Sequence, residues 1–318
     1  GGKAWGINRM RALGLSVPPA IAITTQACRE YHSSGGAMSE ILWAQIVQHM
    51  QLLEQETSRR FGGPQRPLLV AVRSGAAHSM PGMMDTVLNL GINTETQGSL
   101  AAETGDAAYA AETYRHFAQQ YRKVVLSARA DTIPTDPWAQ LRAAVLAVFE
   151  SWHSPRAQIY RRNRNLADDD CTVVTIQAMV FGNLDDRSGT GVLFSRNPIT
   201  GDAPAWGEWL CRSQGEEVVS GRRTPEPLRA LRDSMPAVHA TLMQGTAHLE
   251  NDARDIQDIE FTVESGHLWF LQTRAAKRSP QAALHAAVAF ANEGLISREE
   301  AVRRIKLEQI QQLPALQL

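Results

Sequence analysis

The stretch DIEFTVESGHLWFLQTR carries four polar side chains, in two pairs, that could hold a metal ion beside a phosphate. Asp258 and Glu260 are two residues apart, as are Gln272 and Arg274. Carboxylate and amide oxygens suit Mg²⁺, which usually sits between one or two carboxylates and the phosphates of a nucleotide. A guanidinium beside them could stabilise a phosphoryl group during transfer. The solvated face of a hairpin with cross-strand ion pairs would have the same pattern, so both readings stay open at this point.

The two pairs can act together only if a β-hairpin brings them to the same face. Side chains two residues apart in a strand point to the same side, so each pair shares a face of its own strand. We predict a three-residue loop, Glu264-Ser265-Gly266, in which Gly266 takes the left-handed conformation. This loop keeps both pairs on one face, whereas a two-residue loop would separate them.

A second candidate stretch, VRSGAAHSMPGMMDTVLNLG at residues 72–91, could close over a nucleotide. Arg73 leaves a predicted buried strand, and the small residues Ser74-Gly75-Ala76 would let backbone N–H groups approach a phosphate. His78 is the only one of the nine histidines inside a candidate site. It either lines the nucleotide pocket or is a tolerated loop residue. A Gly/Pro connection with buried methionines is the alternative for the whole stretch.

A third candidate is the glycine-containing turn Ser188-Gly189-Thr190-Gly191, which precedes a strand predicted to begin at Val192. Such a turn can lie over phosphates without obstruction from side chains. It matches neither the Walker A pattern nor GxGxxG, and a β-turn without a ligand is equally open. Lys3, which follows two glycines, is either a phosphate contact or an ordinary surface lysine.

Composition and charge exclude several classes of partner. The chain has 318 residues, with 32 Lys and Arg against 33 Asp and Glu, so no overall field draws it to nucleic acid or to an anionic membrane. Cys28, Cys171 and Cys211 lack CxxC or HxxxH spacing, which argues against a disulfide framework and against structural zinc. No apolar run approaches the roughly 20 residues of a membrane span. We therefore expect a soluble, cytoplasmic protein.

Helical and strand-like stretches alternate around these candidates. Apolar residues at helical spacing predict a helix over 39–60. The predicted helix starts are Asp136-Pro137, Ser154-Pro155, Ser279-Pro280 and a capping box of Ser297 with Glu300. Gly294 is expected to end the third of these helices. Short strand-like stretches lie on both sides of an Ala-rich, helical region at residues 100–165.

Five stretches, in this order, resemble the N-terminal nucleotide-binding domain of pyruvate phosphate dikinase. They are GGKAWG with GLSVPPAIAITT, VRSGAAHSMPGMMDTVLNLG, IQAMVFGNLDDRSGTGVLFSRNP, QGEEVVSGRRTPEPL and QDIEFTVESGHLWFLQTR. SMPGMMDTVLNLG distinguishes this family from its phosphoenolpyruvate synthase and rifampin phosphotransferase relatives. The resemblance implies an ATP-grasp fold of two α+β lobes that hold ATP between them, with a helical insert and a C-terminal helical tail. The implied segments are an N-terminal lobe at 1–99, the insert at 100–168, a C-terminal lobe with the metal-binding hairpin at 169–276, and a helical linker at 277–318.

The resemblance also implies roles for the candidate residues, with ATP and Mg²⁺ as cofactors. Lys3, Arg73 and Arg274 would contact the phosphates, the two arginines as catalytic groups. Glu260 and Gln272 would bind the metal ion, with Asp258 beside them. Ser188, Gly189, Thr190 and Gly191 would cover the triphosphate. His78 is a candidate for lining the nucleotide pocket only through its position in the loop at 72–91.

In the family this domain phosphorylates a histidine on a swivelling domain, which passes the group to a barrel domain that makes phosphoenolpyruvate from pyruvate. We expect this chain to lack a natural N-terminus and to stop where the linker to the histidine domain begins, so that it cannot turn over pyruvate alone. A partner domain or chain would supply the histidine, and a homodimer of the longer enzyme stays open. The alternatives are a nucleotide sensor without catalysis and, less favoured, a kinase for a small acceptor.

Overall fold

The computed structural model describes residues 2–75, 86–126, 132–166, 171–214 and 223–312. Helices and antiparallel sheets are mixed along this part of the chain, which confirms the α+β class. The helices are α1 (Gly2–Ala12), α2 (Thr25–Ser33), α3 (Glu40–Thr57), α4 (Thr94–Thr104), α5 (Ala107–Tyr121) with a π-helical turn (Arg122–Leu126), α6 (Pro137–Ser151), α7 (Pro155–Asn163), α8 (Leu228–Ser234), α9 (Pro236–Ala253), α10 (Pro280–Asn292), α11 (Arg298–Arg304) and α12 (Leu307–Gln311).

The strands are short and pair mostly in antiparallel fashion. They are β1 (Ala20–Ile23), β2 (Arg60–Phe61), β3 (Pro67–Leu68), β4 (Val70–Gly75), β5 (Thr86–Leu90), β6 (Val173–Ala178), β7 (Gly189–Phe194), β8 (Trp206–Cys211), β9 (Glu226–Pro227), β10 (Gln257–Glu264) and β11 (His267–Ala275). The chain divides into two compact units: residues 1–5 with 18–179, and residues 6–17 with 180–318.

The first unit contains a sheet with the strand order β1-β6-β4-β5. Helix α6 contacts β4, β5 and β6. Leu141, Val145 and Val148 of this helix are fully buried. Asp136 accepts hydrogen bonds from Trp138 N and Ala139 N and so caps this helix as predicted. The sheet positions Arg73, which lies on β4.

Strand β6 belongs to this first sheet, where it pairs with β1 and β4. We predicted a C-terminal lobe that begins at residue 169 and would include β6, whereas β6 lies in the first unit. Every residue of β6 is buried, so the strand needs neighbours on both edges and on both faces. The sequence alone does not reveal which sheet a buried strand joins. The division of the chain into four segments therefore stays a prediction.

The second unit contains a sheet with the strand order β11-β10-β7-β8-β9, all antiparallel. Helix α9 contacts β10 and β11 on the face of the sheet that carries Ile259, Phe261 and Val263, all fully buried. Gly245 of α9 packs against the Phe270 ring, where any larger residue would clash. This packing leaves the opposite face of the hairpin to its polar residues.

The predicted start of β7 at Val192 is wrong, because the strand begins at Gly189 and runs through the centre of the sheet. The two glycines have a packing role there. A Cβ on Gly191 would lie 2.5 Å from the Phe261 ring, and a Cβ on Gly189 would meet the Trp209 ring. The Trp209 and Phe261 rings stack across this strand with centroids 6.2 Å apart. Glycine is required here because an aromatic core lies directly over the strand.

We expect Gly191→Ala to lower the free energy of unfolding by about 1–3 kcal/mol, since overpacking forces the surrounding groups to shift. Urea denaturation would measure the change. The matched control is Gly98→Ala in α4, where an added Cβ meets nothing within 4 Å and should stabilise the helix by about 0.5–1 kcal/mol. A Gly191→Ala protein as stable as the wild type would contradict the packing explanation.

Other predicted helix starts are confirmed, and one is half right. Ser154 and Ser279 cap α7 and α10, each followed by proline. Ser297 caps α11 by accepting from Glu300 N at 3.1 Å. The Glu300 side chain bonds Arg304 instead of returning to the cap, so the reciprocal half of the predicted capping box does not form among the hydrogen bonds described.

A cluster of charged residues, the Arg196 network, joins β7 to two helices of the second unit. The Arg196 guanidinium bonds Glu250 Oε1 of α9 at 2.9 Å and Glu293 Oε2, just after α10, at 2.6 Å. It also lies 4.3 Å above the Phe290 ring. The arginine side chain is only 8% exposed, so its ion pairs offset the cost of burying its charge.

Candidate functional site

The β10–β11 hairpin has a two-residue turn, so the predicted three-residue loop is wrong. Glu264 pairs with His267 across the hairpin, and Ser265 and Gly266 have φ of 48° and 81°. Positive φ at both positions is typical of a type I′ turn, whose twist matches that of the strands. The preceding loop holds this turn, since Ser265 Oγ donates to Asp185 Oδ2 at 2.6 Å and Gly266 N donates to Arg187 O at 2.8 Å.

Asp185 is the centre of that loop. Burial alone would raise the pKa of the Asp185 carboxyl. Hydrogen bonds from Ser188 and Ser265 have a larger combined effect, so the pKa lies below its usual value. Ser188 Oγ bonds Asp185 Oδ1 at 2.6 Å and accepts from Ser265 N at 2.9 Å. These contacts are tertiary, and they fix a turn that local sequence rules allowed but did not select.

A β-bulge brings the four polar side chains back to one face of the hairpin. Without it, the two-residue turn would place the two pairs on opposite faces. The register shifts between Glu260 and Phe261, so that Phe261 pairs with Phe270 whereas Glu260 pairs with Gln272, leaving Leu271 as the extra residue. Beyond this shift Asp258 pairs with Arg274. Directly paired residues point to the same face, so the predicted gathering of the four polar side chains is confirmed although its predicted cause is wrong. We call this surface the polar face.

Within the polar face the side chains contact one another in two pairs. Arg274 Nε donates to Asp258 Oδ2 at 2.8 Å, and Gln272 Nε2 donates to Glu260 Oε1 at 3.3 Å. Arg274 is exposed, whereas Asp258 and Glu260 are half-buried. Both pairs therefore have an accessible side from which a ligand could approach.

Gln272 is the most informative residue of the polar face. The residue is 8% exposed, and its Oε1 atom is buried without a hydrogen-bond partner among the residues that the structure describes. A buried carbonyl oxygen without a partner is costly and rare in a folded protein. Its position beside the Glu260 carboxylate gives the pair the donor set that a hard cation prefers, so these residues fit Mg²⁺.

A further carboxylate, which sequence reasoning missed, lies on the polar face. Glu208 of β8 pairs with Val192 of β7, and Val192 pairs with Glu260. Adjacent strands are about 4.8 Å apart, so the backbones of the two glutamates are separated by roughly 10 Å. In the sequence, Glu208 is a charged residue within the strand-like stretch WGEWLC. Only the order of the strands in the sheet reveals that this half-buried glutamate shares a face with Glu260.

The first unit carries the other predicted phosphate ligands. Lys3 Nζ donates to Ser74 O at 2.9 Å, at the end of β4. Arg73 is half-buried on the same strand, where it pairs with Thr86 and Thr175. Lys3 therefore lies close to the strand end that carries Arg73. Ala76 and His78 lie outside the described residues, so their predicted roles stay predictions.

The residues of the predicted glycine turn have other partners in the structure. Thr190 Oγ1 donates to Phe261 O at 3.0 Å and lies 3.2 Å from Thr262 Oγ1. Ser188 holds the hairpin turn as described, and the two glycines pack under aromatic rings. These contacts explain all four residue types by folding alone. Their predicted cover of the triphosphate stays a prediction.

Comparison with known proteins identifies the class of the domain. The fold and the polar face define an α+β protein with a candidate cation site. The family model of the pyruvate phosphate dikinase AMP/ATP-binding domain matches residues 34–247. The chain belongs to this family, which confirms the resemblance found in the sequence.

Curated relatives are considerably longer than this chain. Pyruvate, phosphate dikinase 2 of Zea mays is 40% identical, over 98% of this chain and 40% of the relative. The chloroplastic dikinase 1 of Oryza sativa subsp. japonica and the chloroplastic dikinase of Flaveria pringlei are each 41% identical over 98% of this chain. The chain covers 38% and 37% of their lengths. Within the described ranges no helix is long and apolar enough to span a bilayer. Because several relatives are chloroplastic, the cytoplasmic location stays a prediction.

Proposed function

We propose that this chain is the ATP-binding module of a pyruvate phosphate dikinase-like enzyme, and that it transfers a phosphoryl group from Mg-ATP to a histidine on another domain or chain. Family membership and the polar face support this proposal. The single observation that carries it is the partnerless oxygen of Gln272 beside the Glu260 carboxylate. Most buried amide oxygens in folded proteins have a hydrogen-bond partner, and a bound cation would supply one here.

Glu260 and Gln272 would hold the magnesium ion, with Asp258 beside them. When bound, the ion neutralises the charge of the nucleotide phosphates. Asp258 keeps Arg274 in place through their 2.8 Å ion pair. Arg274 is long and exposed, so its outer nitrogens can bind phosphate oxygens while Nε stays on Asp258.

Phosphoryl transfer asks little covalent chemistry of the protein that binds ATP. Positioning and electrostatic stabilisation supply most of the rate, so arginines and a metal site suffice without a nucleophile in this domain. Lys3 and Arg73 would add phosphate contacts at the end of β4. We further propose that the chain has the ATP-grasp fold that the resemblance implies.

The test measures binding and transfer separately. Calorimetric titration with ATP should show tight binding only when Mg²⁺ is present. Labelled ATP should then label an acceptor histidine domain, prepared from the part of a dikinase relative beyond the matched region, with an acid-labile and base-stable phosphate. Binding without transfer would favour a nucleotide sensor. Absence of binding with and without Mg²⁺ would refute the proposal.

A further inference from the structure

Three side chains of the first unit, Cys28, His32 and Cys171, form a cluster that the nucleotide chemistry does not use. Their ligand atoms all lie within 4.8 Å of one another. Cys28 and His32 are four residues apart on α2, so they share a face of that helix. Cys171 comes from a distant part of the chain, just before β6.

The spacing of these atoms is close to that of a tetrahedral zinc site. Zinc–sulfur and zinc–nitrogen bonds of about 2.3 and 2.0 Å place the ligand atoms roughly 3.3–3.8 Å apart. From the 4.8 Å bound, the ligand atoms would need to approach one another by no more than about 1.5 Å. Side-chain rotations would supply this approach.

The surroundings of His32 match those of a metal-bound imidazole. Its Nε2 atom lies 3.1 Å from the backbone oxygen of Phe149. A histidine that binds a metal through one ring nitrogen usually donates the other N–H to a carbonyl or carboxylate, which fixes the ring. With Nε2 donating to Phe149, the other ring nitrogen is left to bind an ion.

The ligand types select the metal. Two sulfur atoms and an imidazole suit zinc, whereas Mg²⁺ requires oxygen ligands. The two sulfurs are well shielded, since Cys28 is fully buried and Cys171 is 6% exposed, whereas His32 is half-buried.

We propose that Cys28, His32 and Cys171 form a zinc site, with a water molecule in the fourth position, that ties α2 to the start of β6. Thr172, which follows Cys171, accepts a hydrogen bond from Gly75 N at 3.3 Å. The ion would thus stabilise the end of β4, the strand that carries Arg73. Neither CxxC nor HxxxH spacing marks this site, because its third ligand is far away in sequence.

The direct test needs no mutation. The chain is expressed with zinc supplementation and purified without chelators, and its metal content is measured by mass spectrometry. We expect about one zinc ion per chain, and thiolate-to-metal charge-transfer absorption when cobalt replaces zinc. Removing the zinc with a chelator should lower the melting temperature. Absence of bound zinc together with absence of the cobalt absorption would overturn the proposal.

Variants then assign the ligands. His32→Gln keeps an N–H donor for the Phe149 oxygen but loses the imidazole, and Cys28→Ala and Cys171→Ala remove the sulfurs. Each should reduce bound zinc at least tenfold. Cys211→Ser is the matched control, because Cys211 lies on β8 of the second unit, and it should keep the zinc. Zinc retained at wild-type content in the Cys28→Ala and Cys171→Ala variants would refute the assignment. So would a single free thiol in the denatured, unreduced protein, which indicates a disulfide.

Discussion

The Glu260→Gln variant is expected to lose at least about 100-fold in Mg²⁺-dependent phosphoryl transfer while it unfolds at the wild-type temperature. The substitution removes one negative charge from the polar face but keeps the size of the side chain and its ability to bond Gln272. Weaker metal binding should appear as a higher Mg²⁺ concentration for half-maximal transfer. Transfer to a histidine domain is measured across a Mg²⁺ titration, with a thermal melt on the same samples.

The control for this experiment is Glu226→Gln, the same change on the same sheet. Glu226 is exposed and pairs with Trp209, whose ring lies on the aromatic side of the sheet. It should transfer phosphate at the wild-type rate and with the wild-type Mg²⁺ dependence. An identical Mg²⁺ dependence in the Glu260→Gln protein would remove the polar face from the mechanism, even if nucleotide binding itself were intact.

The second large effect concerns stability, through the Arg196 network. Arg196→Met should lower the free energy of unfolding by about 3–5 kcal/mol at neutral pH, because it leaves a buried carboxylate, Glu250, without its charged partner. The Glu250 side chain is only 12% exposed. Urea denaturation measures the loss. Arg232→Met is the control, since its partner Asp233 is exposed and such surface pairs contribute no more than about 1 kcal/mol.

The difference in the free energy of unfolding between the wild type and Arg196→Met should become smaller at acidic pH. The hydrogen bond from Arg196 lowers the pKa of Glu293. Because the folded-state pKa lies below the unfolded one, this pairing stabilises the protein above the unfolded value of about 4.3 and ceases to do so as the pH falls through the lowered pKa. Stabilities measured from pH 7 to pH 3 should therefore converge. Curves that stay parallel would show that the network contributes by packing alone.

Local structure was largely predictable from the sequence because its causes are local. Asp136, Ser154 and Ser279 cap helices, each followed by proline, as the sequence predicted. The alternation of residues 258–263 placed the carboxylates opposite the apolar core. Family membership could also be predicted from the sequence, since it depends on motifs that occur in the family's order along the chain.

The β10–β11 hairpin is a case in which local sequence rules did not predict the turn. Local propensity allowed both a two-residue and a three-residue turn at Ser265-Gly266, and contacts from Asp185 and Arg187 decided for the shorter one. The bulge at Leu271 then returned Gln272 and Arg274 to the face of Glu260. The predicted face was correct because two errors in register cancelled, and only the paired strands reveal this.

The sequence by itself determined the polar alternation of each strand, the helix starts and the family of this domain, because each depends on neighbouring residues or on ordered motifs. Tertiary structure alone decided that β6 joins the first sheet, that Glu208 shares a face with Glu260, and that Cys171 meets Cys28 and His32. These contacts join residues that are distant in sequence. Their formation depends on the packing of the whole unit, which no local pattern encodes.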